Sequence, residues 1–169
     1  KFMLSLKRTL AGLVMSFAAA TALAQSTPDV LIKQVSSEVI DTIKADKSLQ
    51  TGDTSKIIAL VDAKVMPHVN FQRMTASAVG RNWRTATPEQ QKRLQEEFKT
   101  LLVRTYAGAL TQVKDQTVQL KPMRAAAEDT EVVVRTEVKG KGEPIQLDYR
   151  LEKADAAWKI YDVNVLGVW

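Results

Sequence analysis

The feature that most constrains this chain is a change of hydrophobic period near Gln116. Before it, apolar residues recur at spacings of three and four: Leu94, Phe98, Leu101, Leu102, Thr105, Tyr106, Ala109, Leu110 and Val113 form a stripe along about seven helical turns. After it they alternate, most cleanly where Ile145, Leu147, Tyr149 and Leu151 interleave with Gln146, Asp148, Arg150 and Glu152. A segment of one period cannot present a continuous apolar face in the other conformation, so the chain divides into a helical first part and a stranded second part. The fold class this predicts is α+β.

Local signals place the elements. After Thr27-Pro28, the positions Leu31, Ile32, Val35, Val39, Ile40 and Ile43 share one helical face, and a second helix begins at Asp53 or Thr54, carrying Ile57, Leu60, Val61 and Val65 and ending before Pro67. Phe71 to Val79 forms a third, with Gly80 expected as a left-handed stop. The longest helix starts at Thr87-Pro88-Glu89-Gln90, where Thr caps, Pro opens the first turn and Gln reaches back to the cap. Four strands follow, at Val118–Leu120, Glu131–Lys139, Ile145 onward and Trp158–Leu166, with turns at Gly140-Gly142 and Lys153–Ala157. Such spacing suits an antiparallel meander, and the long helix is the expected cover for its apolar face.

The N-terminus reads as an export signal. Lys1, Lys7 and Arg8 precede an apolar run from Leu10 to Ala20 and then Ala22-Leu23-Ala24, shorter than the roughly 20 residues of a bilayer span, and Ala22 and Ala24 suit signal-peptidase cleavage. Residues 1–24 are therefore expected to be removed on export, leaving 25–169 as one domain. That domain carries 21 basic and 19 acidic side chains, so the formal charge of +5 shrinks to +2. Without a basic run interleaved with aromatics, nucleic acid is not an expected partner. The chain has no cysteine, so its core alone must hold it.

Catalytic and metal chemistry find little support. A single histidine and no cysteine leave no metal-ligand cluster, and neither a phosphate-cradling Gly-rich loop nor a nucleophile elbow is present. His68 reads as a structural imidazole; as a general base it would need Asp62 or Asp162, which nothing brings near. Asp148-Tyr149 and Tyr161-Asp162 pair an acid with a phenol, yet strand neighbours point to opposite faces and cannot act jointly. Trp83, between Arg81 and Arg84, reads as a core plug or as part of a pocket mouth.

The segment Val65-Met66-Pro67-His68-Val69-Asn70-Phe71, continued by Val79-Gly80-Arg81-Asn82-Trp83-Arg84, by Thr87-Pro88-Glu89-Gln90-Gln91 and on to Phe98 and Tyr106, resembles the periplasmic phospholipid-binding family of the Mla (maintenance of lipid asymmetry) pathway, the toluene-tolerance auxiliary proteins. The closing Trp158-Lys159-Ile160-Tyr161-Asp162-Val163 and Gly167-Val168 look like the same family's last strand. The resemblance spans the whole of 25–169. It implies an α+β domain, partly like nuclear transport factor 2, that encloses an apolar cavity for the acyl chains of a diacyl glycerophospholipid. That lipid is cargo, and no cofactor is implied. The implied partners are an inner-membrane ABC transporter complex with a periplasmic substrate-capturing ring and an outer-membrane lipoprotein associated with a porin. Family members run on past the Gly-Val motif into further helices, so part of the cavity wall is expected to be missing from this chain.

The tail cavity is expected between the sheet residues Val134, Tyr149, Leu151, Ile160 and Val163 and the helical residues Val69, Phe71, Met74, Val79, Phe98, Leu102 and Tyr106, with Trp83 nearby. The competing reading is that these side chains fill an ordinary core. Two other functions compete with lipid carriage: a small enzyme of the nuclear transport factor 2 type, with an acid and a tyrosine over an apolar ligand, and an adaptor with a solid core.

Overall fold

The computed structural model describes residues 26–169; the expected signal peptide at 1–24 lies outside the described residues. Five helices precede four strands: α1 Pro28–Ala45, α2 Lys47–Gln50, α3 Thr54–Lys64, α4 Phe71–Val79, α5 Pro88–Thr111, then β1 Thr117–Leu120, β2 Glu131–Lys139, β3 Ile145–Ala154 and β4 Ala157–Val165. Short 3-10 turns at Met66–His68 and Gly80–Thr85 flank α4. The strands form one antiparallel sheet in the order β1-β2-β3-β4, the meander expected from the short turns.

The capping chemistry accounts for the helix starts. Thr87 accepts from the Gln90 backbone N–H at 3.2 Å while the Gln90 side chain accepts from the Thr87 N–H at 2.9 Å, the reciprocal box read from the sequence. Asp53 caps α3 through Ser55 and Lys56. The four-residue α2, too short to leave a periodic trace, is set by the Asp46 carboxylate on Ser48. Gly80 does take a positive φ, but with φ 71° and ψ −142° it is not a left-handed helical stop. Its backbone instead turns the chain directly into the next 3-10 segment, through a conformation that only glycine adopts readily.

The sheet's helical cover differs from the expected one. Its inner face takes α1: Leu31, Ile32 and Val35 pack on Val132, Val134, Leu151 and Ile160 in one buried cluster. The long α5 packs instead against α2, α3 and α4. There its Val103 joins Ile43, Leu49, Ile57 and Leu60 in a second cluster, so α1 spans both cores, its first half on the sheet and Ile43 among the helices. The reason lies in which side of α5 is buried. Val103, Ala107 and Leu110, spaced four and three apart, face the helices, whereas Leu101 and Tyr106 in the middle of the apolar stripe remain 59% and 44% exposed.

Candidate functional site

The segment that carried the family resemblance builds a clamp between α4 and the edge of the sheet. Val69 bridges to Ile160 of β4 in parallel, and the Asn70 N–H donates to the Ile160 carbonyl at 2.8 Å. The Asn70 side chain then works in two directions. Its oxygen accepts from the Arg73 N–H at 3.0 Å as the N-cap of α4, and its amide donates to Glu152 of β3 at 2.6 Å. Arg73, one turn on, bonds Glu152 and reaches Glu131 of β2 at 2.9 Å. Its guanidinium also lies 3.6 Å from the centre of the Tyr161 ring. A single turn of helix is thereby tied to three strands.

This clamp positions Phe71, which stacks on Phe98 of α5 with ring centroids 5.7 Å apart. The expected site residues separate into groups around it. Val134, Leu151 and Ile160 are fully buried against α1, with Val69, Met74, Tyr149 and Val163 packed around the same cluster. Phe71 and Phe98 join α4 to α5. Val79, Trp83 and Leu102 are half-buried and Tyr106 is exposed, and none of these four belongs to either buried cluster. The structure thus brings the sheet residues together with Val69 and Met74, but leaves Leu102 and Tyr106 apart from them on α5.

The acid and phenol pairs behave differently from one another. Tyr149 points inward with Ser36 and Thr136 beside its hydroxyl, which burial pushes above the usual tyrosine range, while Asp148 lies on the opposite face. A β-bulge in β4 overturns the expectation for the second pair. Arg150 faces Asp162 and Leu151 faces Ile160, so Tyr161 is an extra residue and its ring joins Asp162 on the outer face. There Tyr161 donates to Glu131 at 3.3 Å and Arg150 binds Asp162 at 2.9 Å. The Arg73 hydrogen bond holds the Glu131 carboxyl below its ordinary range. Trp169 closes over this face, with Arg150 3.7 Å from its ring centre. His68 meets neither proposed acid: Asp62 pairs with Lys99 at 2.7 Å and Asp162 with Arg150. Burial, with Lys159 nearby, lowers the His68 pKa.

Sequence reasoning missed the clamp residues Asn70, Arg73 and Glu152 and the inner-face role of Leu31, Ile32 and Val35. The Asn70-to-Arg73 spacing was a readable capping signal; the reach to Glu152 crosses 82 positions and had none.

With this geometry in place, comparison with known proteins is decisive. Residues 33–169 match the MlaC protein family. The chain belongs to it. An intermembrane phospholipid transport system binding protein, MlaC, of Haemophilus influenzae is 26% identical over 152 residues, covering 88% of this chain and 71% of that protein. A toluene tolerance protein, ttg2D, of Pseudomonas putida is 27% identical over 164 residues, covering 96% of this chain and 76% of that protein. Among solved structures, a phospholipid-binding protein of Ralstonia solanacearum in complex with a phospholipid matches with a TM-score of 0.83 and 50% identity, over 85% of this chain and 80% of that one.

Proposed function

We propose that this MlaC-family chain is a periplasmic phospholipid carrier that holds acyl chains in an apolar slot, keeps the headgroup at its mouth, and exchanges its cargo with membrane-bound complexes without chemistry of its own. The observation that carries this reading is the relationship to the Ralstonia protein, 50% identical, of the same fold and solved with a phospholipid bound. The unfilled side of α5 supports it. Leu101, Leu102 and Tyr106 form an apolar strip in the middle of a 24-residue helix without burial to match, a pattern that marks a surface made for an apolar partner.

The physics of the cargo explains why a carrier needs such a slot. Two acyl chains of roughly 30 methylenes in all, at about 0.8 kcal/mol each, oppose entry into water by on the order of 20 kcal/mol. Release therefore requires a continuous apolar path into a docked partner. A charged headgroup, costly to bury unpaired, stays in water at the mouth. The proposed docking partners are those the family implies, an ABC transporter complex at the inner membrane and a lipoprotein-porin complex at the outer membrane.

The proposed tail-lining set centres on Leu102, Tyr106, Phe98 and Phe71. Val134, Leu151 and Ile160, with Met74 packed against them, belong to the cluster buried under α1 and serve as the protein's own core. Phospholipid extracted from purified protein and quantified by mass spectrometry tests the assignment. Leu102→Glu should lose most of its lipid while retaining the wild-type circular dichroism spectrum and cooperative melting. A folded Leu102→Glu protein carrying the full lipid load would refute the placement of the slot along α5.

A further inference from the structure

Outside the proposed lipid slot, an open groove of about 480 Å³ runs from the chain that leaves β1, over the edge and outer face of β2, to Arg150 of β3 and Tyr161 of β4. The β1-β2 ladder extends no further than the Lys121 N–H on the Arg135 carbonyl at 2.9 Å. Residues 122–130 then swing away and close through a turn in which Asp129 accepts from the Ala126 N–H at 2.7 Å. Backbone groups alternate in direction along a strand. Arg135 faces β1, whereas Thr130 accepts from Lys153 on the β3 side. By that alternation the N–H and C=O groups of Glu131 and Val133 point away from β3, toward the edge left free beyond Lys121. Neither residue has a backbone partner on that side among the described residues. A strand edge with unpaired donors and acceptors is a template for another strand.

The charge around the groove selects the occupant. Of its ionic lining residues, Asp129 is engaged in its turn, Glu131 is bound by Arg73 and Tyr161, and Arg150 is held by Asp162 under Trp169. Of the remaining two cations, Arg124 makes no ion pair among the described residues, and Arg135, 58% exposed, is held only by a long pair to Asp148 at 3.9 Å. The charge least committed to the protein's own partners is therefore positive. The chain's own residues 1–24, with three basic and no acidic side chains, are no complement to it, and a second copy would present the same two arginines.

We propose that this edge is a docking site for an extended acidic segment of a partner protein, which pairs with the Glu131 and Val133 backbone as an added strand and sets its carboxylates against Arg124 and Arg135. The site is separate from the α5 face that holds lipid in the proposed function, so a carrier would hold cargo and partner at once.

The probe is an end-blocked, fluorescein-labelled heptapeptide alternating Glu and Val, titrated by fluorescence anisotropy with the full chain. Saturable binding is expected, weakened about tenfold or more in Arg124→Glu/Arg135→Glu but unchanged in Lys33→Glu/Lys47→Glu, which reverses equal charge on α1 and α2. Methylating the peptide nitrogens along one edge should abolish binding, because it removes the ladder donors, and hydrogen exchange at the Val133 amide should slow when the unmodified peptide is added. Lipid load measured on the same double variant should remain at the wild-type level, which separates failure of the docking site from failure of the carrier reading. The proposal is overturned if the peptide does not bind, if a Lys-Val heptapeptide or the methylated peptide binds equally well, or if inorganic phosphate or anionic vesicles occupy the site in the peptide's place.

Discussion

Replacing Asn70 by alanine tests the clamp that joins α4 to the sheet. The substitution deletes the cap on the Arg73 N–H and the hydrogen bond to the Glu152 carboxylate. Loss of an N-cap costs about 1 kcal/mol. Loss of a hydrogen bond to a charged acceptor adds roughly 1.5 kcal/mol, taken at the lower end because Glu152 keeps its Arg73 partner. Asn70→Ala should therefore destabilise by about 2 to 3 kcal/mol, which for a domain of this size lowers the melting temperature by roughly 5 to 10 °C. Asn70→Ser keeps a capping oxygen but cannot reach Glu152, so it should recover about 1 kcal/mol of that loss. Urea denaturation of the two variants and of Glu152→Gln, combined in a double-mutant cycle, separates cap from clamp. A cost below about 0.5 kcal/mol for Asn70→Ala, or Asn70→Ser no better than Asn70→Ala, would show that the conformation of α4 is set elsewhere.

Three further outcomes follow from the same geometry. Val103→Ala, in the helical core, should cost about 2 kcal/mol in chemical denaturation, whereas Leu101→Ser two positions away should fall within about 0.5 kcal/mol of wild type; comparable costs would contradict the assigned orientation of α5. Gly80→Ala meets no atom within 4 Å but forces alanine into a φ of 71°, so a loss of about 1 to 3 kcal/mol should appear with no steric relief from trimming neighbours. Burial depresses the His68 pKa below its unfolded value near 6.5, so the unfolded chain binds the proton first. That contribution to stability is complete above about pH 6.5 and is lost as pH falls through the folded value. Melting curves of His68→Gln should lack this component of the acid dependence, and an unchanged profile would assign it to other groups.

The extent to which the fold was legible varies with the range of the interaction. The capping box at Thr87, the bounds of α4 and the span of β2 emerged because each depends on residues within a few positions. Alternation in β3 identified Leu151 and Tyr149 as inward because the pleat alone decides it. The Tyr161-Asp162 reading failed for the converse reason: a bulge is defined by the partner strand, and nothing in Ile160-Tyr161-Asp162 itself reveals the extra residue. For the candidate site, the apolar residues of the sheet were recognised as a group, yet the sequence could not separate side chains that fill the core from side chains left without a protein partner. Val103 and Leu101 belong to the same helix and are comparably apolar, and only the placement of α2 and α3 distinguishes them.

Local chemistry within the chain was sufficient for the α+β class, the starts of every helix but the short α2, the meander and the family resemblance, since period, caps and turns act over a few residues and leave their mark in order. The choice of α1 rather than α5 as the cover of the sheet, the Asn70–Glu152 clamp and the free edge of β2 came only with the assembled fold. Each depends on which of several equally apolar or equally charged surfaces meets which, and that competition is resolved by the packing of segments distant in sequence.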